Sequence, residues 1–299
     1  MRALAPALPA LGAAVARPRP TRLGATLAFV RRNPLVLVGA IVVLAWVLVS
    51  IAAPLITPYA PLAQRVSERL QPPSGVHLVG TDALGRDILS RVAFGGRISL
   101  PVGFLVVAVA LGVGGLVGSV AGFGPPWLDG LLMRLTEMVM AFPIIILAMT
   151  IAAALGRGLD HAVIALVAVS WPRYARVIRG LVLAVKENEY VHASRAMGAS
   201  ETHILLRVVL PNCLAPAVVM ATLDVGTAIL TFSGLSFLGL GSPPPAPEWG
   251  AMVADGTQTF DQWWVSTFPG AAILSLAMAF NFIGDGVRDA LDPRLRRSL

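Results

Sequence analysis

The chain has 299 residues, 56% of them hydrophobic and only 13% charged, too little polar surface to coat a water-soluble globule of that length. A net charge of +7 would suit a nucleic-acid binder, but the basic residues stand at the ends of apolar runs and form no continuous patch, so membrane orientation accounts for them better and no nucleic-acid partner is expected. The single cysteine, Cys213, excludes an internal disulfide and any multi-cysteine metal site, and reads as a small buried apolar residue.

Residues 1–21 are rich in Ala, Pro and Arg. Pro6 and Pro9 break the apolar part and no convincing cleavage site follows, which predicts a disordered cytosolic tail. Residues 22–34 place Leu23, Leu27, Phe29 and Val30 beside Arg31 and Arg32, the pattern of a short helix lying on an anionic membrane surface. An uncharged run over 35–53 gives a first span, since crossing a bilayer takes about 20 helical residues. Pro54, Pro58, Pro61, Pro72 and Pro73 then predict an exterior loop over 54–97. It closes with TDALGRDILSRVAFGGRISL, in which Thr81 is expected to cap a helix. Leu84, Ile88 and Val92 share one face of it, Asp82, Arg86, Asp87 and Arg91 occupy the rest, and Gly95-Gly96 is expected to end it. Taken alone, this is an interfacial amphipathic helix. The block closely resembles the TDxLGRDxxSRxxxGxRxSL signature of the C-type permeases of dipeptide, oligopeptide and nickel ABC importers. That resemblance implies a six-span, type I ABC importer permease fold, with 22–34 as its elbow helix.

The remaining spans are expected at 98–121, 131–155, 162–180, 213–237 and 266–284. Gly112, Gly114, Gly115, Gly118 and Gly122 predict close approach of another helix to the second span. Pro143 predicts a kink in the third, and Arg173, Arg176 and Arg179 are expected to snorkel from the end of the fourth to the inner headgroups. LSFLGLGSPPPAPEWGAM, Leu235 to Met252, resembles the LSFLGLG...P...WG block of the same permeases and the terminal DPR resembles their C-terminus. Asp82, Arg86, Asp87, Arg91 and Trp249 are accordingly candidate exterior contacts for a binding protein or gate. With both termini inside, 17 of the 23 basic residues face the cytosol and six face out, in agreement with the positive-inside rule.

Between the fourth and fifth spans lies a polar insert, 186–211, which reads as helix, turn, helix. Asn188 is a plausible N-cap, Tyr190, Ala193 and Met197 share a face, and Gly198 supplies a residue able to take positive φ. Ser200 is expected to cap a second helix, opened by Glu201, carrying Ile204, Leu205 and Val208, and stopped before Pro211. The spacing His192-Ala193-Ser194, Gly198, Val208, Leu210-Pro211 resembles the EAA loop of ABC-importer permeases, with His192 in place of the family's Glu and Ser194 in place of its second Ala. The resemblance implies a coupling helix that fits an ATPase subunit, with Glu189, Tyr190, His192, Ala193, Arg195, Met197 and Gly198 as its coupling residues.

Two acids fall within predicted spans. Glu137 stands one turn from Arg134, so a local ion pair is expected. Asp224 lies deep in the bilayer and either lines a translocation path or makes a structural contact with a neighbouring helix. The only lysine, Lys186, is preceded by Val185 where a P-loop requires Gly, and neither HExxH nor GxSxG occurs, so no ATPase, protease or hydrolase apparatus is expected. The resemblance therefore implies a non-enzymatic peptide-importer subunit in a prokaryotic inner membrane, partnered by a B-type permease, two ATPase subunits that bind ATP and Mg, and an extracytoplasmic solute-binding protein. No cofactor or metal is expected in this chain. Nickel or another small solute as cargo, an ion-gradient-driven secondary transporter and a non-transporting membrane scaffold are the alternatives.

Overall fold

The computed structural model describes residues 33–291. The expected N-terminal tail, nearly all of the elbow helix and the basic C-terminal tail lie outside the described residues. Within them the chain forms helices and connecting loops, with an isolated bridge between Thr81 and Asp87.

Helix α1 spans Pro34–Ile56, opening on a proline whose fixed φ suits a first helical turn. It does not stop at Pro54. That residue has no N–H for the carbonyl of Ser50, and Arg97 supplies the missing donor: Nε to Ser50 O at 2.6 Å and Nη2 to Ile51 O at 2.8 Å. Helix α2, Ile88–Phe123, is longer than expected. Asp87, not Thr81, caps it by accepting from the Ser90 N–H at 2.8 Å. The helix starts late because Asp82 Oδ1 accepts from the backbone N–H groups of Leu84 and Arg86, folding 81–87 into a turn that competes with helix. Gly95 and Gly96 lie inside α2 and do not end it. A methyl on Gly95 would stand 2.6 Å from Pro247 O and from the Trp249 ring, so glycine is there for close packing.

The expected glycine seam is real on one face of α2. A Cβ on Gly114 or Gly118 would collide with the carbonyl oxygens of Trp171 and Ala175, and one on Gly122 would meet Val182 at 2.9 Å. Gly112 and Gly115 point elsewhere and have nothing within 4 Å of that position. The expected third span is not one kinked helix but two, α3 (Pro126–Met140) and α4 (Ile144–Leu155), bent by 89° at the break. Pro143 explains it: it offers no N–H and pushes the residue before it out of helical geometry.

Helix α5, Leu159–Lys186, runs the length of the glycine seam and leads into the short α6, Glu189–Ala196. Helix α7 then runs unbroken over Glu201–Phe237. The expected stop before Pro211 does not occur, because Ile204–Val209 widens into π-helical turns that absorb a residue unable to donate an i→i−4 bond. Helices α8, Trp249–Thr257, and α9, Trp264–Leu291, complete the order. Among the described residues, α1, α2, α7 and α9 are long and apolar enough to cross a membrane, and α3 with α4 makes a fifth crossing if the bent pair counts as one. Six spans require α5 as well, whose 28 residues suffice in length but whose arginines lower its hydropathy.

Two cores result. The larger joins α2, α5, α7 and α9 through Val106, Leu166, Tyr174, Ile229, Phe232 and Leu276. A smaller one gathers Ile178, Val182, Val191, Ile204, Val209 and Cys213 where α5, α6 and α7 meet, and there Cys213 is the buried apolar residue expected of it.

Candidate functional site

The insert between α5 and α7 is built to hold one short helix in a fixed pose. Gly198 takes φ +84° and turns the chain, and Ser200 Oγ then accepts from the His203 N–H at 3.3 Å, the cap expected of it. Asn188 occupies the first N-cap position without capping; its amide donates back to Val185 O at 2.9 Å. Arg195 clasps Glu201 with two bonds, 2.7 and 3.0 Å, closing the turn. That hydrogen bond raises the Arg195 guanidinium above its ordinary pKa. Val191 alone of α6 is buried, in the smaller core. Glu189, Tyr190, His192, Ala193, Arg195, Met197 and Gly198 are all exposed, so the expected coupling residues form one outward surface, from which Met197 projects at 81% exposure. The Glu187 carboxylate lies 3.9 Å from His192 Nε2.

Asp224 has a partner within the chain. Its Oδ1 accepts from Arg173 Nη1 at 2.9 Å, and while the carboxylate side chain is 13% exposed the arginine is 59% exposed. Arg173 therefore points to Asp224 and does not snorkel to headgroups, and Arg179 likewise turns to Asp129, at 2.5 and 2.6 Å. Arg134 and Glu137, both exposed, form no ion pair.

At the other end of the molecule the signature expected outside folds inward. Asp82, Arg86, Asp87 and Arg91 are buried, not displayed. Asp82 Oδ2 accepts from Arg86 Nε at 2.6 Å and also from Arg91 Nη1, and Asp255 of α8 lies 3.5 Å from Arg86. Burial pushes the Asp255 carboxyl above its usual pKa, against the pull of Arg91 and Arg86. His77 is clamped between Asp87 Oδ1 at 2.9 Å and Glu68 Oε2 at 3.2 Å, under the Tyr59 ring. Trp249 is fully buried, its Nε1 donating to Val92 O at 2.9 Å and its ring packed edge-on against Trp46. Direct contact by these five side chains with another protein is thus closed off in this conformation, because each is used to bind the 57–87 loop and α8 onto the start of α2. Glu248, also buried, caps α8 through the N–H groups of Gly250 and Ala251; burial raises its pKa and those two bonds oppose the rise.

Residues 114–297 match the model of the family described as binding-protein-dependent transport system inner membrane component. The chain belongs to this family. Residues 27–73 match in addition the N-terminal transmembrane domain of oligopeptide transport permease C. Among relatives of this permease, the dipeptide transport system permease protein DppC of Alkalihalophilus pseudofirmus is 43% identical over 267 residues, 89% of this chain and 88% of that one. The probable D,D-dipeptide transport system permease protein DdpC of Escherichia coli is 42% identical over 263 residues, 88% of each. A solved structure of the MetNI methionine ABC transporter, in an inward-facing conformation, shares the fold with a TM-score of 0.58 at 21% identity, over 68% of this chain and 97% of its own. The permease is thus a membrane-spanning transport subunit with the ABC-importer permease fold. Sequence reading missed Arg173 as the partner of Asp224, the His77 clamp, Asp255 and Glu248. For Arg173 a signal existed: of the three arginines at the end of the expected fourth span it stands deepest, and Asp224 is the acid within the expected fifth.

Proposed function

We propose that this permease is one membrane subunit of an ATP-driven importer that carries di- or oligopeptides inward across the cytoplasmic membrane of a prokaryote, with both termini cytosolic. The cargo class is supported by the names of relatives above 40% identity across nearly the whole chain. Its partners are a B-type permease, two ATPase subunits that bind ATP and Mg, and an extracytoplasmic solute-binding protein. The observation that carries the reading is the pose of α6: a rigid eight-residue helix with one buried residue and an otherwise exposed polar surface, held at the joint of two membrane-length helices. A short helix transmits displacement without compressing, and Glu189, Tyr190, His192 and Arg195 fix its register on a partner. Movement of the ATPases rocks α5 and α7 through it and alternates access to the path beside Asp224. At the outer face, the buried cluster around Asp82 and Trp249 keeps the exterior loop and α8 moving as one body with α2, and so serves a gate.

The test is uptake of a radiolabelled dipeptide by liposomes holding both permeases and the ATPases, with the binding protein supplied outside. Uptake should require ATP and disappear when Gly198→Pro breaks the hairpin. Full-speed uptake without nucleotide, or an ATPase pair that never associates with this chain, overturns the reading.

A further inference from the structure

The Arg173–Asp224 pair sits where a bilayer is least tolerant of charge. Arg173 is 14 residues into the 28-residue α5, about 21 Å along it at roughly 1.5 Å per residue, and so near mid-depth of a hydrocarbon core of about 30 Å. An arginine 59% exposed at that depth does not face lipid; it faces a polar path or a partner chain. Of its five N–H donors one is used within the chain, which leaves a half-empty guanidinium fork.

Two cavities flank the pair. One, of about 420 Å³, is lined by Pro216, Met220 and Leu223 of α7, with Arg173 of α5 and Arg288 of α9 in its wall. That volume lies within the range of small-ligand sites, about 300–1,000 Å³. The other, about 80 Å³, is lined by Asp224 with Ser170, Thr227 and Thr231. Tyr174, 2% exposed, lines it too; its hydroxyl lies close enough to Asp224 to interact electrostatically yet makes no hydrogen bond of good geometry. A cation, an anion and an unsatisfied buried hydroxyl thus meet at one point between two spaces.

We infer that Arg173 and Asp224 form a mid-membrane station for zwitterionic cargo, in which a peptide's carboxylate takes the Arg173 fork and its ammonium group takes Asp224. This rests on the peptide-importer reading. The physical reason is charge continuity. When the station is empty the two side chains neutralise each other, and when a zwitterion enters it replaces each partner by a like charge, so neither residue is bare at mid-depth in either state. The carboxylate gains the bidentate geometry that the single bond to Asp224 leaves unused. Apolar cavity walls beside the charges suit side chains of varied size.

The experiment compares Arg173→Gln, Asp224→Asn and the double variant in the reconstituted complex, reading assembly, binding-protein-stimulated ATP hydrolysis and uptake of the radiolabelled dipeptide. Expected is a loss of uptake of about tenfold or more in each single variant, one decade corresponding to about 1.4 kcal/mol. Assembly should be intact and stimulated hydrolysis within about twofold of wild type, a window narrower than that decade. The double variant should stay equally low. A double variant that recovers uptake overturns the station, because removing both charges repairs a merely structural pair. So does a double variant that fails to assemble, or single variants that transport normally. A wild-type complex that imports no dipeptide sinks the peptide-importer reading itself, an outcome separate from wild-type import with indifferent variants.

Discussion

Helix α6 has eight residues, too few to hold helical form alone in water, so its pose depends on what anchors it. Val191 is that anchor: it is fully buried beside Ile178 and Val182 of α5 and Ile204, Val209 and Cys213 of α7. Val191→Ala deletes two methyl groups at about 0.8 kcal/mol each, and the cavity left behind brings the loss to about 2 kcal/mol. At about 1.4 kcal/mol per decade, the detached population of α6 rises roughly 30-fold. Val191→Asp buries an unpaired carboxylate at a cost of several kcal/mol and should detach the helix outright. Hydrogen exchange of the nucleotide-free complex reads this directly at the amides of Val191, Met197 and Gly198, which bond to Asn188 O, Ala193 O and Arg195 O. Their exchange should accelerate by the same factor in Val191→Ala, while stimulated ATP hydrolysis loses its dependence on the binding protein. Tyr190→Ala and His192→Ala, on the exposed surface, should weaken coupling without touching exchange. Unchanged protection of 189–198 in Val191→Ala, or a fully coupled Val191→Asp, would refute the anchor.

The glycine seam gives a paired test: Gly118→Ala meets the Ala175 carbonyl, which cannot swing aside, and should lower the thermal midpoint by the equivalent of about 1–3 kcal/mol, whereas Gly112→Ala, in open space, should not. Equal effects at the two positions would dismiss the seam. Trp249→Phe removes the bond to Val92 O, whose carbonyl keeps its place in the α2 ladder, a loss of about 0.5–1.5 kcal/mol, seen as earlier proteolysis of the 238–263 segment. The His77 clamp predicts a pH effect of definite sign. Its hydrogen bond holds the Glu68 carboxyl below the ordinary 4.5, so the tether is whole above that value and is lost as pH falls through the lowered one. Protease nicking of 57–80 should therefore increase on acidification below about 4.5; His77→Ala should nick readily at every pH.

Legibility in the sequence followed the range of the forces involved. Apolar runs mark α1, α2, α7 and α9 because burial in lipid acts on each segment separately, and the turn at Gly198 and Ser200 was legible because it is made by neighbours in the chain. Prolines misled in both directions. Pro54 and Pro211 looked like stops but are accommodated, one by the distant Arg97 and the other by π-helical turns, whereas Pro143, read as a kink, ends a helix at nearly a right angle. The exterior signature misled for the same reason. Its amphipathic pattern suggested a surface helix, yet the partners that bury it, Trp249 and Asp255, lie about 160 residues downstream, and no local period reports them.

The placement of the charges also constrains how motion can travel. Helix α5 is about 42 Å long at roughly 1.5 Å per residue, and it carries Arg173 near its middle and the joint to α6 at its end. Helix α7 begins at the other side of that joint and carries Asp224, which meets Arg173 at 2.9 Å. A push on α6 is therefore delivered to the two helices whose single mid-depth ion pair spans them, with no intervening element to absorb it. Any shear of α5 against α7 beyond an ångström or so stretches a 2.9 Å bond past useful length, while the α2–α5 seam, locked by backbone contact at Gly114 and Gly118, keeps α5 moving with α2. Displacement at the joint with α6 then opens the pair before it disturbs the buried cluster at Asp82 and Trp249. Locking α5 to α7 with a cysteine cross-link one turn from Arg173 should abolish uptake and leave ATP hydrolysis running; a cross-linked complex that still imports would mean that these two helices do not shear.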